Sequence, residues 1–140
     1  MPPWFLFLHF FLTGFWHRRC LLPAMGWFGW QNSGKGKQPH HIRLATGRPM
    51  AVAGIWEEQD GTACFTLLNQ AAIPDLQPIH HRQPVFVDTK AFAIWLQPDS
   101  PAGKLMGILQ AEPPSFSFWP VLDLVNNVRN NTPEIMQARI

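Results

Sequence analysis

The chain has no tyrosine, only two cysteines, and no acidic residue before Glu57. Each shortage excludes something. Two cysteines in 140 residues do not make a disulfide scaffold. Cys20 and Cys64 both stand in apolar, strand-like runs and read as buried, reduced thiols of a cytoplasmic protein. The longest apolar run, "WFLFLHFFLTGFW" at 4–16, falls short of the roughly 20 residues that a membrane-spanning helix needs. No basic residue precedes it, and "HRRC" follows where a signal peptide would have a small-residue cleavage site. The run reads as a buried segment, or as surface whose covering partner is absent, and no membrane partner is expected.

Familiar site motifs are missing as well. His40-His41 lies in a strand-like run, where neighbouring side chains point to opposite faces and do not readily share one metal ion. His80-His81 has the same difficulty, and no cysteine or carboxylate stands nearby at ligand spacing. No metal and no cofactor are therefore expected. There is no G-x-S-x-G elbow, and "GKGK" at 34–37 lacks the spacing of a phosphate-binding loop.

What the chain does have is 46% hydrophobic residues, enough for one domain with a real core, and fourteen prolines with ten glycines. That turn content argues against a helical bundle and for short strands. Residues 19–30 read as one strand. "QPHHIRL" (38–44) and "MAVAGIWEE" (50–58) read as a hairpin about "ATGR", and "ACFTLLN" (63–69) as a strand buried on both faces. "QPVFVD" (83–88) is a further strand, with Asp88 placed to cap a short helix over 89–96. "GKLMGILQ" (103–110) is a second short helix, and "PPSFSFWPV" is extended. The order predicts an α+β domain, mostly antiparallel β and barrel-like, with short peripheral helices.

Charge is distributed unevenly. Six basic and no acidic residues stand before Glu57; five basic and nine acidic follow. A polyanion-binding face and scattered solubilising charge both fit that asymmetry. "PIHHRQPV" (78–85) presents a histidine and an arginine in a proline-bracketed loop, where functional side chains are often displayed. His80 is suited to shuttling protons and Arg82 to clamping a phosphate.

The ordered set "RRCLLPAMGWFGW", "KQPHHIRLATGRPMAVAGIWE", "FTLLNQAAIPDLQPIHHRQPVFVD", "FAIWL" and "PVLDLVNNVRNNTPEIMQ" resembles the SOS-response-associated peptidase (SRAP) family, which processes abasic sites in DNA. The resemblance covers 18–140, read as a partial SRAP domain lacking its N-terminal part, with 1–17 a hydrophobic leader of no clear match. It implies a partner, single-stranded DNA with abasic sites, and a DNA–protein crosslink made in the SOS response to DNA damage. In the family an N-terminal cysteine, exposed by self-cleavage, condenses through its α-amine with the abasic aldehyde and closes a thiazolidine. A glutamate and a histidine handle the protons. By resemblance His80 is that histidine, Gly29 stands where the glutamate belongs, Met25 replaces an acid, and His81 replaces another beside Arg82. Residue 2 is proline rather than cysteine. Trp30, Arg82, Arg43 and Arg48 are the expected DNA contacts. Whether the chain is an enzyme is left open by these losses, since general acid–base help is typically worth about 10²–10⁴-fold. The alternative is a non-catalytic fragment or interaction module with no DNA chemistry.

Overall fold

The computed structural model describes residues 12–140. Of the apolar run at 4–16, residues 4–11 lie outside the described residues; residues 12–17 are helical. Eight strands follow in the described chain: β1 (Arg19–Ala24), β2 (Trp27–Asn32), β3 (Lys37–Leu44), β4 (Met50–Gln59), β5 (Thr62–Leu67), β6 (Asn69–Ala71), β7 (Arg82–Pro84) and β8 (Phe116–Pro120). Between β7 and β8 lie a 3-10 turn (Thr89–Ala91) and two helices (Phe92–Leu96 and Ala102–Gln110). The sheets run β1-β4-β5, β2-β3-β8 and β6-β7, and every pairing whose register is resolved is antiparallel. The α+β, mostly antiparallel expectation holds, but the strands form separate sheets, and no closed barrel occurs among the described residues.

The chain divides into two compact units, each built from three separate segments. The first takes the described residues up to Pro23 with Ala51–Asn69 and Pro84–Pro113. Its core lies under one face of β1-β4-β5, where Ala53 and Ile55 meet Phe15, Leu68, Val85, Val87, Trp95 and Leu105. Trp95 is fully buried, and its indole N–H donates to the Cys20 carbonyl at 2.8 Å, so the ring adds its apolar area without stranding a polar group. Buried Arg19 holds the same region together. Its guanidinium donates to the carbonyls of Phe15, Trp16, Trp95 and Gln97 at 2.5–2.9 Å. Asp88 caps the 3-10 turn, its side chain accepting from the Lys90 N–H, as its position before the helix predicts.

The second unit takes Ala24–Met50, Gln70–Gln83 and Pro114–Ile140. Ile42 of β3 packs there with Ala72, Leu76 and Ile79, and Trp27, Ile73 and Phe116 close the cluster. Trp27 meets Phe116 edge-on, centroids 5.3 Å apart. Between β6 and β7 the chain is held as tight turns over 74–79, with Ile79 and His80 N–H both bonded to the Leu76 carbonyl. Gln83, also buried, accepts from the Ile73 N–H through Oε1.

Four expectations need correction. "QPVFVD" (83–88) is strand only within Arg82–Pro84, followed by an isolated bridge from Phe86 to Val52. Residues 19–30 are two strands in different sheets, broken at Met25-Gly26. A β-carbon at Gly26 would lie 2.5 Å from the Ile42 carbonyl oxygen and 2.7 Å from His41 Nε2, so the chain turns there where only glycine fits. Next, β3 and β4 do not form a hairpin about "ATGR": β3 pairs with β2 and β8, and β4 with β1 and β5. The hairpin is β2–β3, with "SGKG" at its tip. Lastly, β5 is exposed along its whole length rather than buried on both faces, because it is an edge strand. The two cysteines are free, as expected, but only half of the burial expectation survives. Cys20 is partly buried and burial raises its thiol pKa, whereas Cys64 is exposed on that edge.

Candidate nucleic-acid interface

All six expected site residues, Gly29, Trp30, Arg43, Arg48, His80 and Arg82, fall within the second unit. This unit carries seven of the eleven basic residues and three of the nine acidic ones, Asp75, Asp123 and Glu134. The two-halves asymmetry of the sequence thus becomes a surplus of four positive charges on one unit and of two negative charges on the other. None of the three acids lies on β2 or β3.

The antiparallel register sorts the β2-β3-β8 residues into two faces, since directly opposed residues share a face. Gly29 pairs with His40, Trp27 with Ile42, and Ile42 with Phe118. This face carries the core. Phe28 pairs with His41 and His41 with Trp119, while Trp30 pairs with Pro39. Gly29 and Trp30, adjacent in sequence, therefore face opposite ways.

Gly29 is buried. A β-carbon built on it would lie 2.8 Å from Ile79 Cγ2 and 3.4 Å from Ile42 Cδ1. The space for a side chain is thus taken by Ile79, the residue bonded directly to His80. Gly29, where the resemblance expects a glutamate, thus abuts the loop where it expects a histidine, with an isoleucine methyl in the space between. His80 itself is exposed, and its Nδ1 accepts from the Arg82 N–H at 3.0 Å. The same Nδ1 also lies 3.2 Å from the Arg82 carbonyl oxygen, so this ring nitrogen faces both the donor and the acceptor of the Arg82 backbone. His81 stacks on His80 at 4.5 Å, the planes 21° apart.

On the other face, His41 is sandwiched between Phe28 (5.2 Å) and Trp119 (5.0 Å). The Arg43 guanidinium lies 5.0 Å from the Trp119 ring centroid, a cation–π contact. His41 is buried and its Nδ1 has no hydrogen-bond partner among the described residues. Burial, with the nearby Arg43 charge adding to it, holds the imidazole below its usual pKa. Exposed Trp30 donates through Nε1 to Asn126 Oδ1 at 2.7 Å, and Trp119 donates to the Met136 carbonyl. Arg48 lies in the exposed turn after β3, where its N–H is bonded to Thr46 Oγ1. The structure sets Gly29 against Ile79, the residue before His80, and bonds His80 to the Arg82 backbone; Trp30 and Arg43 share the opposite face of the sheet, and Arg48 lies in the turn after β3.

Sequence reasoning did not bring His41 and Trp119 together on the Trp30 face. Their signal lies in pairing rather than in local pattern: His41 joins the Phe28 face only once β2 and β8 are placed on either side of β3. Among the described residues no group of three or more His, Cys, Asp or Glu side chains is arranged to hold a metal, and no helix is long and apolar enough to cross a membrane.

The family profile described as "SOS response associated peptidase (SRAP)" matches residues 8–128. Among curated proteins, the chain is 33% identical over 129 residues to the abasic site processing protein YedK of Escherichia coli, covering 86% of this chain and 58% of the relative. It is 30% identical over 145 residues to the abasic site processing protein HMCES of Gallus gallus, covering 85% of this chain and 43% of the relative. The chain thus spans about half the length of these relatives. Among solved structures, a protein of Bacteroides thetaiotaomicron superposes with a TM-score of 0.76 at 21% identity, over 91% of this chain and 59% of its own. A phage-related protein of Bordetella bronchiseptica gives 0.63 at 30% identity, over 85% of this chain and 57% of its own.

Proposed function

Because this chain belongs to the SOS response associated peptidase family, we propose that its second unit binds single-stranded DNA at abasic sites without completing the family's covalent chemistry. The relatives named as abasic site processing proteins support the DNA substrate, and the positive surplus of this unit supports a polyanion partner. The observation that carries the loss of chemistry is at Gly29. The proton-transferring carboxylate that the family resemblance places there is absent, and Ile79 occupies its space. His80 keeps a ring anchored to the Arg82 backbone, but without a carboxylate partner the second proton transfer has no group to perform it. Self-cleavage and crosslinking, which share the site, fail together on this reading.

The test pairs two assays on one oligonucleotide with a single abasic aldehyde. Anisotropy should report binding that weakens as salt rises from about 50 to 200 mM, while denaturing gels should show no DNA-linked protein. A gel-stable crosslink would overturn the loss of chemistry; no binding at low salt would overturn the DNA reading.

A second reading, an interaction module, is supported by the first unit. One face of β1-β4-β5 is an open apolar groove of about 250 Å³ lined by Cys20, Leu22, Trp56, Ala63 and Phe65 among others. This reading survives if the chain binds no DNA.

A further inference from the structure

The tip of the β2–β3 hairpin plays no part in the site described above, yet it concentrates charge on a defined support. Lys35 and Lys37 are exposed, and two of the chain's four lysines are here; the other two, Lys90 and Lys104, belong to the first unit. No ion pair to either hairpin lysine is found among the described residues. The tip is a closed turn. Both the N–H and the hydroxyl of Ser33 donate to the Gly36 carbonyl, at 2.9 and 3.1 Å, directly above the Asn32–Lys37 pair. On either side of Lys35, Gly34 (φ +74°) and Gly36 (φ +132°) adopt conformations that favour glycine. A β-carbon at either would meet nothing within 4 Å. Packing within the described residues thus does not require these glycines, and the backbone beside Lys35 is bare to whatever approaches.

The stem continues the same character. Lys37 opposes Asn32, two residues from Trp30, so by strand alternation Lys37, Trp30 and Arg43 lie on one face. From Lys37 to Arg43 the strand runs about 20 Å at 3.3 Å per residue. Arg139 joins the stem, its guanidinium donating to Gln38 Oε1 at 2.6 Å.

We infer that this hairpin is a phosphate-binding finger for single-stranded nucleic acid. Lys35 and Lys37 grip the backbone at its tip, Trp30 offers a stacking surface below them, and Arg43 takes a phosphate at the far end. Lysine suits this role as a point charge that holds backbone without reading sequence. The inference rests on the DNA-binding reading and deepens it, adding Lys35 and Lys37, neither of which is among the DNA contacts that the family resemblance implies.

The experiment compares the full chain with Lys35→Gln/Lys37→Gln and with Lys90→Gln/Lys104→Gln, using a labelled single strand carrying a stable abasic analogue across about 50–200 mM salt. Loss of two phosphate contacts should flatten the slope of log affinity against log salt by about 1.4, at roughly 0.7 per contact on single strands. The first-unit pair should leave it unchanged. Lysine acetylation of the wild-type chain, which needs no variant to fold, should show Lys35 and Lys37 protected by DNA and Lys90 and Lys104 not. If the wild type binds but both pairs behave alike and no lysine is selectively protected, the finger is wrong and the DNA reading stands. If the wild type binds no DNA, both fall. Binding of an acidic protein surface instead, with DNA ignored, also overturns the inference.

Discussion

Two residues in the second unit have measurable consequences of their own. Gly26 sits where a β-carbon would strike the Ile42 carbonyl and the His41 ring. Backbone does not move aside as a flexible side chain does, so Gly26→Ala should cost about 1–3 kcal/mol. Thermal unfolding should show it as a fall of roughly 3–12 °C. At Gly29 the obstacle is the Ile79 side chain rather than backbone, so Gly29→Ala should destabilise less than Gly26→Ala in the same assay. His41 makes a pH prediction. Its folded-state pKa lies below the usual histidine value because burial disfavours the charged ring and Arg43 repels it. The unfolded chain therefore binds the proton first as pH falls. Stability from this group is fully present above about pH 6.5 and declines as pH drops toward the folded pKa. Urea midpoints measured from pH 8 down to 5 should fall, and His41→Gln should reduce that fall. An unchanged profile in the variant would assign the pH dependence elsewhere.

Among the elements, β5 stands out. It carries six exposed residues with no charge and no proline, on the edge of its sheet, with Phe65 58% exposed. Phe65 pairs with Trp56, itself exposed, and Leu67 with Gly54. Natural edges are usually blunted by lysine, proline or bulges, and this one is not. Phe65→Lys should lower light scattering on heating and raise soluble yield, with little change in unfolding midpoint because the side chain contributes little to the core. The β5 strand also shows why local pattern misled. A continuous apolar run means burial on both faces only when strands flank it, and pairing order is not written in the run itself. The same limit explains the misplaced hairpin. "ATGR" and "NSGKGK" both read as turns, and only the sheets show that the second joins partners. Features decided within a few residues were legible: the Asp88 cap, the helix over Ala102–Gln110, the extended β8, and the opposite facing of His40 and His41.

Across the molecule, the charge asymmetry and the five family-like segments were visible in sequence. The division into two units was not, because each is assembled from segments far apart in the chain. That division predicts how a deletion behaves. A chain ending at Pro113 loses β8 with Trp119 and the C-terminal turns, hence one edge of β2-β3-β8 and the Asn126 acceptor of Trp30, but keeps every described segment of the first unit. Hydrogen exchange should then lose protection over 24–50 and 70–83 and retain it over 51–69 and 84–113. Uniform loss across both sets would mean that the units do not fold separately.

The interleaved segments also set a timetable during synthesis. β2 and β3 are neighbours in sequence and can pair soon after they leave the ribosome, but the strand on the far side of β3 arrives only with Phe116. At about 5–20 residues per second that delay is roughly 4–15 s. Throughout it one side of β3 has open backbone, and Ile42 and Trp27 wait for Phe116 to close their cluster. The nascent chain is most exposed to mispairing in this window, with the uncharged β5 edge already made.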